Sequence, residues 1–196
     1  LITPDVKDAL ETATDAIGYY SYVARVIERS GLTIHGSDNR VELQRAKQAL
    51  ELAGEGRHVV VVSSGDPGVF AMASAVFEAV ETGPLSWREL DISVLPGITA
   101  MLAAAARLGA PLGHDFCVIN LSDNLKPWSI IETRLRLAVE ADFAMAFYNP
   151  RSKARPEGFE KALDLLKSAC EKERLIMFAR AVSTPEESLL TVALSD

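Results

Sequence analysis

The chain of 196 residues carries 20 Lys+Arg against 27 Asp+Glu, a formal charge of −7, with 48% hydrophobic and 24% charged residues. That balance is too apolar for a disordered chain, and its acid excess argues against wholesale nucleic-acid binding while leaving room for a local basic mouth. No apolar run approaches the roughly 20 residues of a membrane helix, no signal peptide opens the chain, and Cys117 and Cys170 are too few for a disulfide framework, so the sequence reads as cytosolic.

In chain order, Thr3-Pro4-Asp5 predicts a helix start, with Val6, Leu10 and Ala13 following at helical spacing. A second helical pattern runs from about Tyr19 to Glu28 and stops at Ser30-Gly31. A third, about Val41 to Ala53, places Val41, Ala46, Ala49, Leu50 and Ala53 on one side. Val59-Val60-Val61-Val62 reads as a strand buried on both faces, and it passes through Ser63-Ser64-Gly65-Asp66-Pro67-Gly68 into a helix from about Val69 to Val80. Asp91 to Leu95 predicts a second strand, ending in Pro96-Gly97-Ile98-Thr99-Ala100 and a small-residue helix to about Leu108. Strand, glycine turn and helix, repeated, is the pattern of βα crossovers and a mainly parallel sheet.

The Gly/Pro-rich segment Leu108–Gly113 cannot continue a helix, so it divides the chain into lobes 1–113 and 114–196. The second lobe is expected to hold strands at Phe116–Leu121, Phe143–Tyr148, Leu175–Ala179 and Leu189–Leu194, with helices at about Trp128–Ala141 and Glu157–Cys170. The expected class is α/β, in two lobes.

Ligands of open α/β sheets sit at the carboxyl ends of strands, so three turns stand out. In Ser64-Gly65-Asp66-Pro67-Gly68, Gly65 allows close backbone approach, and Asp66 offers a solvent-facing carboxylate whose loss should spare stability. A carboxylate there disfavours phosphate and suits hydroxyls or an ammonium group; a plain turn cap is the competing reading. Pro96-Gly97-Ile98-Thr99-Ala100 is the second turn, where small residues admit either a ligand or close helix packing. Phe147-Tyr148-Asn149-Pro150-Arg151-Ser152-Lys153 is the third, and with Arg155 it makes a cationic loop: a carboxylate-binding rim or a solvated connection. His35, His58 and His114 are scattered and no Cys-x-x-Cys occurs, which argues against zinc. The chain also lacks the Gly-x-Ser-x-Gly elbow, the phosphate loop of NTPases and the Gly-x-Gly-x-x-Gly of nicotinamide enzymes.

The strings Ser63-Ser64-Gly65-Asp66-Pro67-Gly68-Val69-Phe70 and Leu95-Pro96-Gly97-Ile98-Thr99-Ala100 together resemble the tetrapyrrole methylase family. Pro111–Phe116, Leu121–Trp128 and Ala146–Ser152 narrow the resemblance to a branch that methylates and contracts the macrocycle in cobalamin biosynthesis. The resemblance implies S-adenosylmethionine as methyl donor, S-adenosylhomocysteine as product, a carboxylated tetrapyrrole as substrate and a homodimer. It implies two α/β lobes with mixed, mainly parallel sheets and a cofactor trough between them. Carried over by position, Ser64, Gly65 and Asp66 line the cofactor with Val69 behind them. Thr99 and Ala100 make the second contact, Tyr148 and Asn149 the third, and Val182 a final backbone contact. Arg151 and Lys153 meet substrate carboxylates, while His114, Asp115 and Asp123 stand as acid or base.

Family members open with a strand and a Gly-x-Gly-Pro-Gly loop ahead of a segment like Leu1-Ile2-Thr3-Pro4, and they continue with further strands, so the chain reads as a fragment. Asn124 and Lys126 stand where the pattern has an apolar residue and a Thr. The alternatives are a sibling methylase acting at another macrocycle carbon and a non-catalytic nucleotide-binding α/β module.

Overall fold

The structure is a computed structural model that describes residues 2–152 and 156–196. The chain forms two compact units, the first running to Thr99 and the second from Ala100 to Asp196. The Leu108–Gly113 turn lies inside the second unit.

The first unit opens with α1 (Pro4–Thr12), whose Thr3 Oγ1 accepts from Val6 N at 3.4 Å, with Pro4 and Asp5 in the first turn as a helix start requires. A three-stranded parallel sheet follows, ordered β2-β1-β3, from β1 (Asp15–Tyr19), β2 (Thr33–Ser37) and β3 (Val59–Val62). Ile17 of β1 pairs with His35 on one side and Val61 on the other, so β1 is the central strand and its first four residues are buried. The expected helix at Tyr19–Glu28 is therefore corrected. The sheet claims Tyr19, and only the one-turn α2 (Tyr20–Val23) is helical. Gly18 is required there, because a Cβ would come within 2.8 Å of Val23 and 2.9 Å of the Val62 carbonyl. β3, expected to be fully buried, is half-buried along its length.

Two helices pack together in this unit, α3 (Glu42–Gly54) and α4 (Met72–Thr82), followed by a 3₁₀ turn (Leu85–Glu89). Ala46, Leu50, Met72, Val76, Ala79 and Trp87 form their shared core. Burying one such large side chain contributes about 1.5–3 kcal/mol. Asp91–Leu95, expected to be a strand, joins no ladder among the described residues. Its Ile and Val favour extended backbone, but the strand state needs a hydrogen-bonded neighbour, and the described sheet places none beside it.

The second unit begins with α5 (Ala100–Arg107), then β4 (Phe116–Asn120), α6 (Trp128–Glu140), β5 (Ala144–Tyr148), α7 (Gly158–Ala169), β6 (Leu175–Arg180) and β7 (Ser188–Ala193). β4 and β5 run parallel, with Asn120 opposite Tyr148, and β6 and β7 form an antiparallel pair. Among the described residues each sheet is thus of one kind, two parallel and one antiparallel, which corrects the expectation of mixed sheets while keeping the parallel majority. Ile131, Leu135 and Ala138 recur at helical spacing on α6 and close over Ile119 and Leu121, with Ala162 and Leu165 of α7 completing the core. No helix among the described residues is long and apolar enough to cross a membrane.

Candidate functional site

In the first unit the site residues gather where β3 leaves the sheet. Gly65 takes φ +72, a left-handed conformation that glycine adopts without a Cβ penalty. The Asp66 carboxylate then accepts twice: Oδ1 from Gly68 N at 2.8 Å and Oδ2 from Gly97 N at 3.0 Å. The first bond closes an Asx turn ahead of α4, and the second ties that turn to the Pro96-Gly97 string 31 residues on. The two backbones are so close that a Cβ on Gly97 would strike the Gly65 carbonyl. The expectation of a solvent-facing Asp66 is therefore corrected: the side chain is half-buried and holds two turns together. Val69 sits half-buried behind it, its N donating to the Asp66 carbonyl at 3.1 Å, while Ser64 is exposed and Thr99 is 4% exposed.

In the second unit the counterpart is the carboxyl edge of β4 and β5. Tyr148 Oη accepts from Met101 N at 3.0 Å, supplying one of the orphan amides at the start of α5 with an acceptor, next to Ala100. Asn149 adopts φ +51, which Asn tolerates better than most residues, and its Nδ2 donates to Asn120 Oδ1 at 3.2 Å. The same Asn120 oxygen accepts from Ser122 N at 2.9 Å. Asn120 is the residue that the sequence reading missed. Its signal was an amide closing an apolar run at a strand end. Val182 is half-buried in the β6–β7 connection, between Ala181 at φ +48 and Ser183 at φ +66.

The three acid–base candidates are not brought together. His114 and Asp115 are exposed at the amino end of β4, and Asp123 is exposed beyond its carboxyl end. Five residues of strand separate them, about 16 Å of rise. Only Asp123 lies on the edge where ligands of parallel sheets bind. Arg151 Nη2 donates to Glu160 Oε1 at 2.8 Å, so this cation is already paired, and Lys153 and Arg155 lie outside the described residues. Burial pushes the thiols of Cys117 and Cys170 above their ordinary pKa, making both poor nucleophiles. Among the described residues no cluster of three His, Cys, Asp or Glu could hold a metal ion.

The largest electrostatic feature of the first unit stands apart from these turns. Asp15 is fully buried, with Oδ1 2.7 Å from His35 Nε2 and Oδ2 accepting from Arg57 Nε at 2.6 Å and Thr14 Oγ1 at 2.7 Å. Burial alone would raise its pKa. The hydrogen bonds from His35, Thr14 and Arg57 outweigh it and hold the carboxyl below its ordinary value. Asp15 is the first residue of β1, at the end of the sheet opposite the turns described above.

Parallel sheets with glycine turns at their carboxyl edges are the arrangement in which open α/β folds place their ligand sites. The tetrapyrrole (corrin/porphyrin) methylase family matches residues 1–196, and the chain belongs to that family. A precorrin-3B C(17)-methyltransferase from Sinorhizobium sp is 49% identical over 195 residues, covering 100% of this chain and 77% of that protein. A probable cobalt-factor III C(17)-methyltransferase from Salmonella typhimurium is 37% identical, covering 100% of this chain and 80% of its own. The crystal structure of the methyltransferase CobJ superposes with a TM-score of 0.97 at 65% identity, over 100% of this chain and 82% of that one.

Proposed function

We propose that the chain is an S-adenosylmethionine-dependent C-methyltransferase that acts at C-17 of a corrin-pathway tetrapyrrole, precorrin-3B or its cobalt counterpart, with ring contraction. The observation that carries this reading is the 49% identity, over the whole chain, to a precorrin-3B C(17)-methyltransferase. Methyl transfer from a sulfonium to carbon is an in-line displacement that needs no protein nucleophile. Orientation of the two reactants can supply about 7–11 kcal/mol of the acceleration. The residues present fit such a donor. The Gly65 backbone carries no side chain to shield it, and each Asp66 oxygen keeps a lone pair for a hydroxyl or ammonium group beside the bond it accepts from Gly68 or Gly97.

In this reading Ser64, Gly65, Asp66, Val69, Thr99, Ala100, Tyr148, Asn149 and Val182 are the residues that hold S-adenosylmethionine. Asp66 acts mainly by fixing the Gly97 turn, and Asn120 by fixing Asn149. Asp123 remains the acid–base candidate. Arg151 and Lys153 remain the candidates for substrate carboxylates. Calorimetry with S-adenosylhomocysteine, NAD and ATP tests the cofactor: binding of the first alone is expected, and binding of NAD or ATP instead overturns the assignment. Incubation with labelled S-adenosylmethionine and the tetrapyrrole, with and without cobalt, tests the reaction by the gain of one methyl group. The cobalt-bearing substrate is kept as a second reading because the Salmonella relative carries that name.

A further inference from the structure

Two charged side chains are buried among the described residues, and they are satisfied differently. Asp15 has the Arg57 guanidinium against it. Arg45, on α3 and 4% exposed, has no carboxylate partner among the described residues. Its Nε donates to Ser37 Oγ at 2.8 Å, Nη2 to the Asp38 carbonyl at 2.7 Å and Nη1 to Met72 Sδ at 3.3 Å. All three acceptors are neutral and the thioether is a weak one, while a guanidinium carries five N–H donors. The neighbouring acids are turned to other work: Asp38 Oδ1 accepts from Asn39 N, and Glu42 Oε1 from Arg40 N. A buried cation left without an anion costs several kcal/mol, which favours recruitment of a negative group from outside.

The place also fits an anion. Ser37 ends β2 and Met72 begins α4, so Arg45 lies at the carboxyl edge of the parallel sheet. α4 spans 11 residues, has no side-chain cap at Ala71 and no acid in its first turn, so its amino end adds partial positive charge beside Arg45. Phe70, two residues earlier, is held at φ +51 and is 49% exposed. A bulky residue in that conformation is strained, and strain of this kind gathers at ligand sites.

We propose that Arg45 and the amino end of α4 form an anion subsite in the first unit that takes a carboxylate of the tetrapyrrole substrate, with Phe70 facing the macrocycle. The inference rests on the methylase reading for the identity of the ligand. Met72 holds the place of the anion: an unbranched thioether swings aside readily, and an incoming carboxylate replaces a weak acceptor with a charge-assisted one.

The test uses the whole chain, with succinate at constant ionic strength and with uroporphyrin III as free acid and as methyl ester. Succinate is expected to raise the melting temperature of the wild type and to leave Arg45→Met unmoved. The wild type should prefer the free acid to the ester by about tenfold, the size of one charge-assisted hydrogen bond, and Arg45→Met should lose that preference while keeping its S-adenosylhomocysteine affinity. Met72→Glu decides the matter even if Arg45→Met does not fold, since it supplies the carboxylate from within and should abolish both the succinate response and the acid preference. Retention of either response in both variants overturns the proposal and leaves Arg45 as a clamp on the Ser37–Asp38 segment. A wild type that binds neither S-adenosylhomocysteine nor uroporphyrin refutes the methylase reading, and the succinate measurements still decide on the anion subsite.

Discussion

Asp15 and Asp66 show how differently two carboxylates can serve one sheet. Asp15 is buried at the amino end of the sheet among His35, Thr14 and Arg57, and its folded-state pKa is depressed. Its contribution to stability is therefore fully present above the unfolded-chain value of about 3.9 and is lost as pH falls through the folded value. Asp15→Asn should flatten the acid limb of a stability–pH profile below about pH 4 and cost about 3 kcal/mol at neutral pH, because Arg57 and His35 lose their anion. An unchanged acid limb in urea melts across pH would show that another carboxylate governs it. Asp66 sits at the opposite edge, and its two backbone bonds set the distance between two glycine turns. Asp66→Ala should destabilise by about 1–3 kcal/mol and weaken S-adenosylhomocysteine, with Asp66→Asn milder on both counts because it retains one acceptor oxygen. Melting curves and calorimetry on the same samples separate the outcomes: lost affinity at full stability would make Asp66 a direct ligand rather than a tie between turns.

At the scale of the element, α5 depends on an acceptor supplied from β5: Tyr148 Oη takes the Met101 amide. Tyr148→Phe removes that acceptor and should cost about 0.5–2 kcal/mol, the range for a lost helix cap, read as a lower urea midpoint at unchanged slope. Leu135→Ala, fully buried on α6, should cost about 2–5 kcal/mol, so an equal loss in both variants would argue that Tyr148 is a core residue rather than a cap. The helices were the legible part of the fold, since α3, α6 and α7 carry apolar stripes at 3.6 spacing, and so were β4 and β5 with their apolar runs. β1 was not, because a central strand beginning with a buried Asp and containing Gly18 shows no alternation and has Ile17 as its one β-branched residue. β2 hides in the same way behind His35 and Gly36. Asp91–Leu95 had the composition of a strand, yet pairing is a property of its neighbour as much as of itself. The glycine turns of the site were legible from local chemistry. Arg45 was masked by its place in the Val41–Ala53 helical pattern, and Asn120 by a hydrogen bond to a residue 29 positions away.

For the whole molecule, a charge of −7 opposes the approach of a carboxylated ligand unless the field is reversed locally. Arg151 was expected to do this as a free cation, but it is paired with Glu160, and both side chains are more than half exposed. Such a pair adds only about 0–1 kcal/mol to stability, so either partner can be removed without unfolding the chain. The two removals should act with opposite sign on binding. Arg151→Ala leaves Glu160 facing the loop and should weaken a polycarboxylate, with a larger defect when Lys153→Ala is added. Glu160→Gln frees Arg151 and should strengthen it. Exposed charges are screened beyond about 8–10 Å at 0.1–0.15 M salt, so both effects should shrink as salt rises, whereas a carboxylate seated on buried Arg45 should keep most of its advantage. Uroporphyrin titrations from low to high salt, with S-adenosylhomocysteine affinity as the control, give the two slopes. Equal binding by Arg151→Ala and Glu160→Gln at low salt would show that the loop exerts no steering and that the carboxylates are held elsewhere.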